Sequence, residues 1–171
     1  MAAERVTPAD VAFLSRKSGG LIAVAGTGAR IGQLELDLVG VKAKALRDTH
    51  FGITIDAREG TKSGASAKDR AETIRLFADM KARAEDFARP GHVTTLKALD
   101  GGVLARAGHT EAAVDLARLA CLSPAGALCM IMTPDGSEAR LGYLAEFANK
   151  HGLKMISIRD LIEFRRRREK L

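Results

Sequence analysis

Short apolar runs separated by helical segments limit what this chain can fold into. Leu21 to Ala25 is a compact apolar run, His50 to Ala57 (HFGITIDA) is rich in β-branched residues, and Ala125 to Met132 is apolar throughout. Each is strand-sized and bounded by glycine, proline or polar residues. Leu153 to Ile158 reads as a further strand, and Gly101 to Leu104 as a short one. None approaches the ~20 apolar residues that span a bilayer. Between them lie helical patterns. Thr7-Pro8 starts one, with threonine as cap and proline in the first turn. Ala67 to Phe87 reads as a long helix, Thr110 to Cys121 as another capped by Thr110, and Gly142 to Lys150 and Ser157 to Lys170 as two more. Ile31 to Val41 is amphipathic. Alternating strands and helices without a repeat or linker predict one α+β domain over residues 1–171, a mixed sheet with flanking helices.

Composition narrows the function classes. The 171 residues contain two cysteines, Cys121 and Cys129, and no CxxC pair. Zinc ribbons, thioredoxin-type sites and disulfide scaffolds are excluded, and the pattern suits a reducing cytoplasm. No apolar signal core precedes Asp10, so export is not expected. The net charge is +6, and the basic C-terminal helix over residues 159–171 holds six basic residues against three acids. A basic last turn complements the helix dipole and is disfavoured as a nucleic-acid surface. Aromatic residues make up 4 % with no tryptophan, so no stacking platform for single strands exists.

The glycine-rich segment Gly26-Thr27-Gly28-Ala29-Arg30-Ile31-Gly32 is one residue too long for a dinucleotide fingerprint and reads as a plain turn. Three polar loops carry more information. Thr61-Lys62-Ser63-Gly64-Ala65-Ser66 enters a helix at Asp69-Arg70, an arrangement suited to an oxyanion or to simple capping. Arg89-Pro90-Gly91-His92 and Arg106-Ala107-Gly108-His109-Thr110-Glu111 each place an arginine and a histidine on a glycine-containing loop. Arginine fixes phosphate through paired hydrogen bonds, and histidine moves protons or binds metal near neutral pH. Together they point to a phosphosugar site.

In kind, order and separation these loops resemble those of the 3,4-dihydroxy-2-butanone 4-phosphate synthase family. The matching stretches are Gly60-Thr61 to Ser66-Ala67, Asp69-Arg70, Arg89 to Val93, Gly101 to Leu104, Gly108 to Ala112, Pro124-Ala125-Gly126, Phe147 to His151 and Ile158 to Leu161. The resemblance spans about Ala3 to Arg165. It implies a riboflavin-pathway lyase that converts ribulose 5-phosphate to dihydroxybutanone phosphate and formate. It implies Mg²⁺, with Mn²⁺ as a substitute, and a homodimer with sites near the subunit interface. By the same resemblance His109 ligates the metal, and Arg106, Ala107, Gly108, His109 and Thr110 bind the substrate phosphate. His92 is catalytic, at a site shared with the partner subunit.

The chain departs from the pattern in three places, one being the early strands, where Ala23 and Ala25 stand at positions often cysteine in the family and His50 at one usually small. The family's opening strand and acidic metal loop would precede Ala3-Glu4, so the domain is expected to be short at its N-terminus. A glutamate is expected after Leu128-Cys129, where this chain has Met130, and a thioether cannot move a proton. The resemblance therefore carries an alternative: a catalytically degenerate paralogue that binds a phosphosugar or forms a heterodimer with an intact synthase subunit.

Overall fold

The computed structural model describes residues 1–39 and 49–169. Its central element is β1 (Gly19–Gly26), flanked in a four-stranded sheet of order β2-β3-β1-β4. Strand β2 spans His50–Ala57, β3 Phe87–Lys97 and β4 Ala125–Ile131. Strands β1 and β3 are parallel, with Ala23 opposite Thr94 and Gly26 opposite Lys97. The pairs β1–β4 and β2–β3 are antiparallel. The fold is thus a mixed α+β domain, as the alternation predicts.

The even and odd positions of β1 serve different cores. Ile22 and Val24 join Ile55, Val93 and Ala127 under Ile74 and Phe77 of α3 (Ala67–Ala78) and Val11 of α1 (Pro8–Phe13). Ala23 and Ala25 pack with Leu96 and Val114 on the other face, where α4 (His109–Leu119) lies. Burial on both faces explains why β1 reads as continuous apolar sequence rather than an alternating one. The α4 face is lined by small residues because that helix comes close: a side chain at Gly126 would collide with the Ala113 backbone. Outside the two layers, α5 (Leu141–Lys150) attaches through a ring cluster of Phe13, Phe147 and His151.

Several expected boundaries are corrected. Helix α3 stops at Ala78 rather than Phe87. The buried Arg30 explains the stop, because its guanidinium takes the carbonyls of Leu76, Phe77, Asp79 and Ala82 at and just beyond the helix end. Arg30 lies on α2 (Gly28–Gln33), which Thr27 caps, so Gly26 to Gly32 is a helix start and not a plain turn. The amphipathic segment expected over Ile31 to Val41 reduces to that short helix and its exit, with Gly40 and Val41 outside the described residues. Gly101 to Leu104 is a 3₁₀ turn, not a strand, because Gly101 (φ 92°) and Gly102 (φ 62°) are left-handed. Helix α4 starts at His109 with Gly108 before it, so Thr110 is not its cap. No strand forms over Leu153 to Ile158; Leu153, Met155 and Ile156 are exposed, and Ser157 leads into α6 (Ile158–Glu169).

The Arg-Pro-Gly-His segment, expected as a loop, lies inside β3 but outside its ladder. Asp56 pairs with Ala88 and Ile55 with Val93, so residues 89–92 bulge from the strand. The Arg89–Pro90 peptide is cis. Proline lacks the donor a ladder needs, which favours such an excursion.

Phe77 is fully buried and lies against Gly26, where a side chain would meet its ring. Phe77→Ala is expected to lower stability by about 3–5 kcal/mol, read as a fall in the urea midpoint.

Candidate phosphosugar site

Two groups of polar residues form at opposite ends of β3. The first surrounds the start of α4. The Arg106 guanidinium donates to Glu111 Oε2 at 2.6 Å and to Thr49 Oγ1 at 2.9 Å. Glu111, whose side chain is 1 % exposed, also accepts from the Leu99 amide at 3.0 Å. The carboxylate thereby ties the exit of β3 to the first turn of the helix. Gly108 is required by the close approach: a side chain there would strike both Arg106 and Glu111. With no side-chain cap at Gly108, the first-turn amides of α4 have no acceptor from a capping group. Thr110 is buried beside them, while His109 and Ala107 are exposed. Unsatisfied amides at a helix start next to a fixed guanidinium suit a phosphate.

The second group forms where β3 bulges. Departure from the ladder leaves backbone donors that need partners. Thr54 Oγ1 accepts from the Gly91 amide at 3.0 Å, and Asp56 Oδ1 from the His92 amide at 2.9 Å. Asp56 Oδ2 lies 2.7 Å from His92 Nδ1. A carboxylate acceptor assigns the proton to Nδ1 and leaves Nε2 for chemistry. Arg89 anchors the other side through the carbonyls of Leu34, Glu35 and Ala84.

The Thr61 to Ser66 loop packs behind this pair. Gly64 (φ 77°) sits against the Asp56 carboxylate with no room for a side chain. Its amide donates to Asp69 Oδ2 at 3.1 Å, and Ser66 caps α3 through the Asp69 amide. Burial works to raise the Asp69 pKa, but the amides of Lys62, Ser63 and Gly64 and the Ser66 hydroxyl outweigh it and hold the carboxyl below its usual value. This part of the loop is therefore locked from inside, and capping accounts for Asp69. Gly60 to Ser63, Ser66, Lys68 and Asp69 still line an open pocket.

Met130 lies toward the same end of the sheet as His92. The registers Ala23 with Thr94 and Ile22 with Cys129 put β1 between them, roughly 10 Å of strand spacing. Met130 is 46 % exposed. Burial pushes the neighbouring Cys129 thiol up, so it stays protonated and does not replace a carboxylate as a base. His92 and the Arg106 to Thr110 loop, by contrast, are not brought together within one chain. Seven residue steps, the first five of them along β3, separate His92 from Leu99, on the order of 20 Å.

The 3,4-dihydroxy-2-butanone 4-phosphate synthase family model matches residues 1–164. The chain belongs to this family. It is 52 % identical over 173 residues to the riboflavin biosynthesis protein RibBA of Aquifex aeolicus, covering 100 % of this chain and 43 % of that protein. The chain thus spans less than half the length of this curated relative. A crystal structure of the Candida albicans synthase matches with a TM-score of 0.87 and 43 % identity, covering 96 % of this chain and 81 % of that one. A synthase solved in complex with two magnesium ions matches with a TM-score of 0.93 and 36 % identity, covering 99 % of this chain and 84 % of that one.

Magnesium binding in another synthase raises the question of whether this chain has a fitting donor set. Mg²⁺ takes oxygen ligands in a near-octahedral shell. Among the described residues no three His, Cys, Asp or Glu side chains group as a metal site. Beside His109, the Glu111 carboxylate is already engaged by Arg106 and Leu99. The described donors do not fit Mg²⁺, and no step is routed through it.

The sequence singles out His92, Arg106, Ala107, Gly108, His109 and Thr110, but not Asp56, Thr54 or Thr49, and it assigns Glu111 no role. Asp56 did leave a signal: it is the one charged residue within the β-branched run of β2 past His50. Asp56→Asn is expected to weaken the hold on His92 Nδ1 and let both imidazole tautomers populate. Imidazole ¹⁵N shifts of His92 should then move toward averaged values; unchanged shifts would show that Asp56 does not set the tautomer.

Proposed function

We propose that the chain takes ribulose 5-phosphate as substrate in riboflavin biosynthesis and converts it to 3,4-dihydroxy-2-butanone 4-phosphate and formate. The observation that carries this reading is the start of α4, where a guanidinium fixed by a buried carboxylate adjoins unsatisfied helix amides. In this reading the phosphate sits on the first-turn amides and the Thr110 hydroxyl, with Arg106 facing it and His109 at the rim. The atoms balance without a further reactant: formate carries away one carbon, and four remain in the phosphorylated ketone. The chemistry needs proton removal and return along the sugar. His92 supplies this through Nε2, with Asp56 holding Nδ1 and stabilising the imidazolium that forms.

The separation along β3 supports a homodimer, with His92 of one copy serving the α4 site of the other. A shared site is a reason for two copies that composition alone does not supply.

Met130 favours a second reading. At the position where the family pattern calls for a carboxylic acid, this chain presents an exposed thioether. A chain without that acid would bind the phosphosugar and lend His92 to an intact synthase subunit in a heterodimer.

Formate release from ribulose 5-phosphate, with Mg²⁺ supplied, tests the first reading. Formate is expected from the chain, and His92→Ala should lower kcat by about 10²–10⁴-fold. No formate from the chain, but formate after Met130→Glu, would favour the second reading.

Shared sites have their own test. His92→Ala and Arg106→Ala chains, each strongly impaired alone, should recover roughly a quarter of full activity when co-expressed, because half the dimers then hold one intact site. No recovery in the mixture would mean that each site is built from a single chain.

A further inference from the structure

The basic run at the end of α6 is not a uniform solvated face. Arg165 points inward, with its side chain 8 % exposed. Its Nη1 donates to the Gly101 carbonyl at 2.6 Å and to Asp115 Oδ2 at 2.8 Å. Its Nε and Nη2 donate to the two oxygens of Glu169 at 2.7 and 2.9 Å. Asp115, on α4, is 1 % exposed and also accepts from the Val103 amide at 2.8 Å. The carbonyl before Gly102 and the amide after it therefore converge on one buried Arg–Asp pair. Gly102 itself must lack a side chain, because the Asp115 carboxylate fills that space.

This double-glycine turn leads directly into the candidate site. The amides of Ala105 and Arg106 both donate to the Gly102 carbonyl, at 3.0 and 3.1 Å. The loop backbone that presents Arg106 thus hangs on the residue that Arg165 and Asp115 hold. Apolar packing reinforces the arrangement, with Leu161 of α6 against Val103 and Ala112. A planar guanidinium can bridge a carbonyl and a carboxylate on one edge while a second carboxylate holds the other, which an ammonium cannot do.

We infer that Arg165 is a positioning residue for the sugar-phosphate site: with Asp115 it fixes the Gly101 to Val103 turn and so sets the Arg106 to Thr110 loop. The inference rests on the phosphosugar reading of that loop. It extends the site to the C-terminal helix, which touches no substrate.

The test uses the full chain with Arg165→Met, which keeps the aliphatic stem but cannot bridge, and Arg165→Lys. Hydrogen exchange at Val103, Ala105 and Arg106 should quicken at least about tenfold in Arg165→Met, while β1 and β3 amides keep their protection. The KM for ribulose 5-phosphate should rise about tenfold with kcat within about twofold, since phosphate holding is lost and the proton chemistry is not. Arg165→Lys should give an intermediate KM. If Arg165→Met fails to fold, Glu169→Gln loosens the same guanidinium and should shift loop exchange and KM in the same direction by less. Unchanged loop exchange, or a fall in kcat with KM unchanged, would overturn the inference. Absence of both turnover and inorganic-phosphate binding in the unsubstituted chain would overturn the phosphosugar reading, and the site role of Arg165 with it. Loop exchange would then still report separately whether the clamp holds.

Discussion

Burial of β1 on both faces is the constraint on which the rest of the molecule depends. The strand can lose its exposure to water only if α1 and α3 cover one side and α4 the other. Parallel pairing with β3 and antiparallel pairing with β4 follow from seating it between two neighbours. Once the two layers are fixed, the exits of β1 and β3 point the same way. Gly26 and Lys97 end side by side, so the loops that follow share one end of the sheet. The start of α4 is presented there because β3 must return through the Leu99 to Gly108 connection to cover Ala23 and Ala25.

The polar residues of the molecule concentrate where the backbone leaves regular pairing. At the β3 bulge, Thr54 and Asp56 replace the ladder partners that Gly91 and His92 lack. At the glycine turn, Asp115 replaces the missing partner of Val103. At the end of α3, Arg30 collects the free carbonyls. Each is a buried or half-buried side chain that satisfies main-chain groups left without a ladder or helix partner. Two of the three hold histidine- or arginine-bearing segments, which is how structural hydrogen bonding becomes site geometry in this fold.

The loops were legible in the sequence because their chemistry is local. Gly-His-Thr at 108–110 and Pro-Gly-His at 90–92 announce a break in the regular backbone and a polar group whatever surrounds them. Strand β3 was not legible, since proline and glycine mask a strand that is interrupted rather than absent. The true end of α3 was hidden as well, because residues 79 to 86 have helical composition and the stop is imposed by Arg30, distant in sequence. Leu153 to Ile158 misled in the opposite sense: its apolar residues suit a strand, but no strand of the sheet pairs with it.

By itself the sequence determined the class of fold, the family pattern and the residue types of the site. Those depend on periodicity and on short-range order, which neighbouring residues fix. Tertiary structure alone decided the partners: Asp56 for His92, Glu111 and Thr49 for Arg106, Asp115 and Gly101 for Arg165. It also decided that His92 and the α4 start lie at opposite ends of β3. The physical reason is that an extended strand separates groups in proportion to its length, while hydrogen bonds between distant segments depend on how the layers stack. That stacking is set by the burial of the whole chain rather than by any local stretch of it.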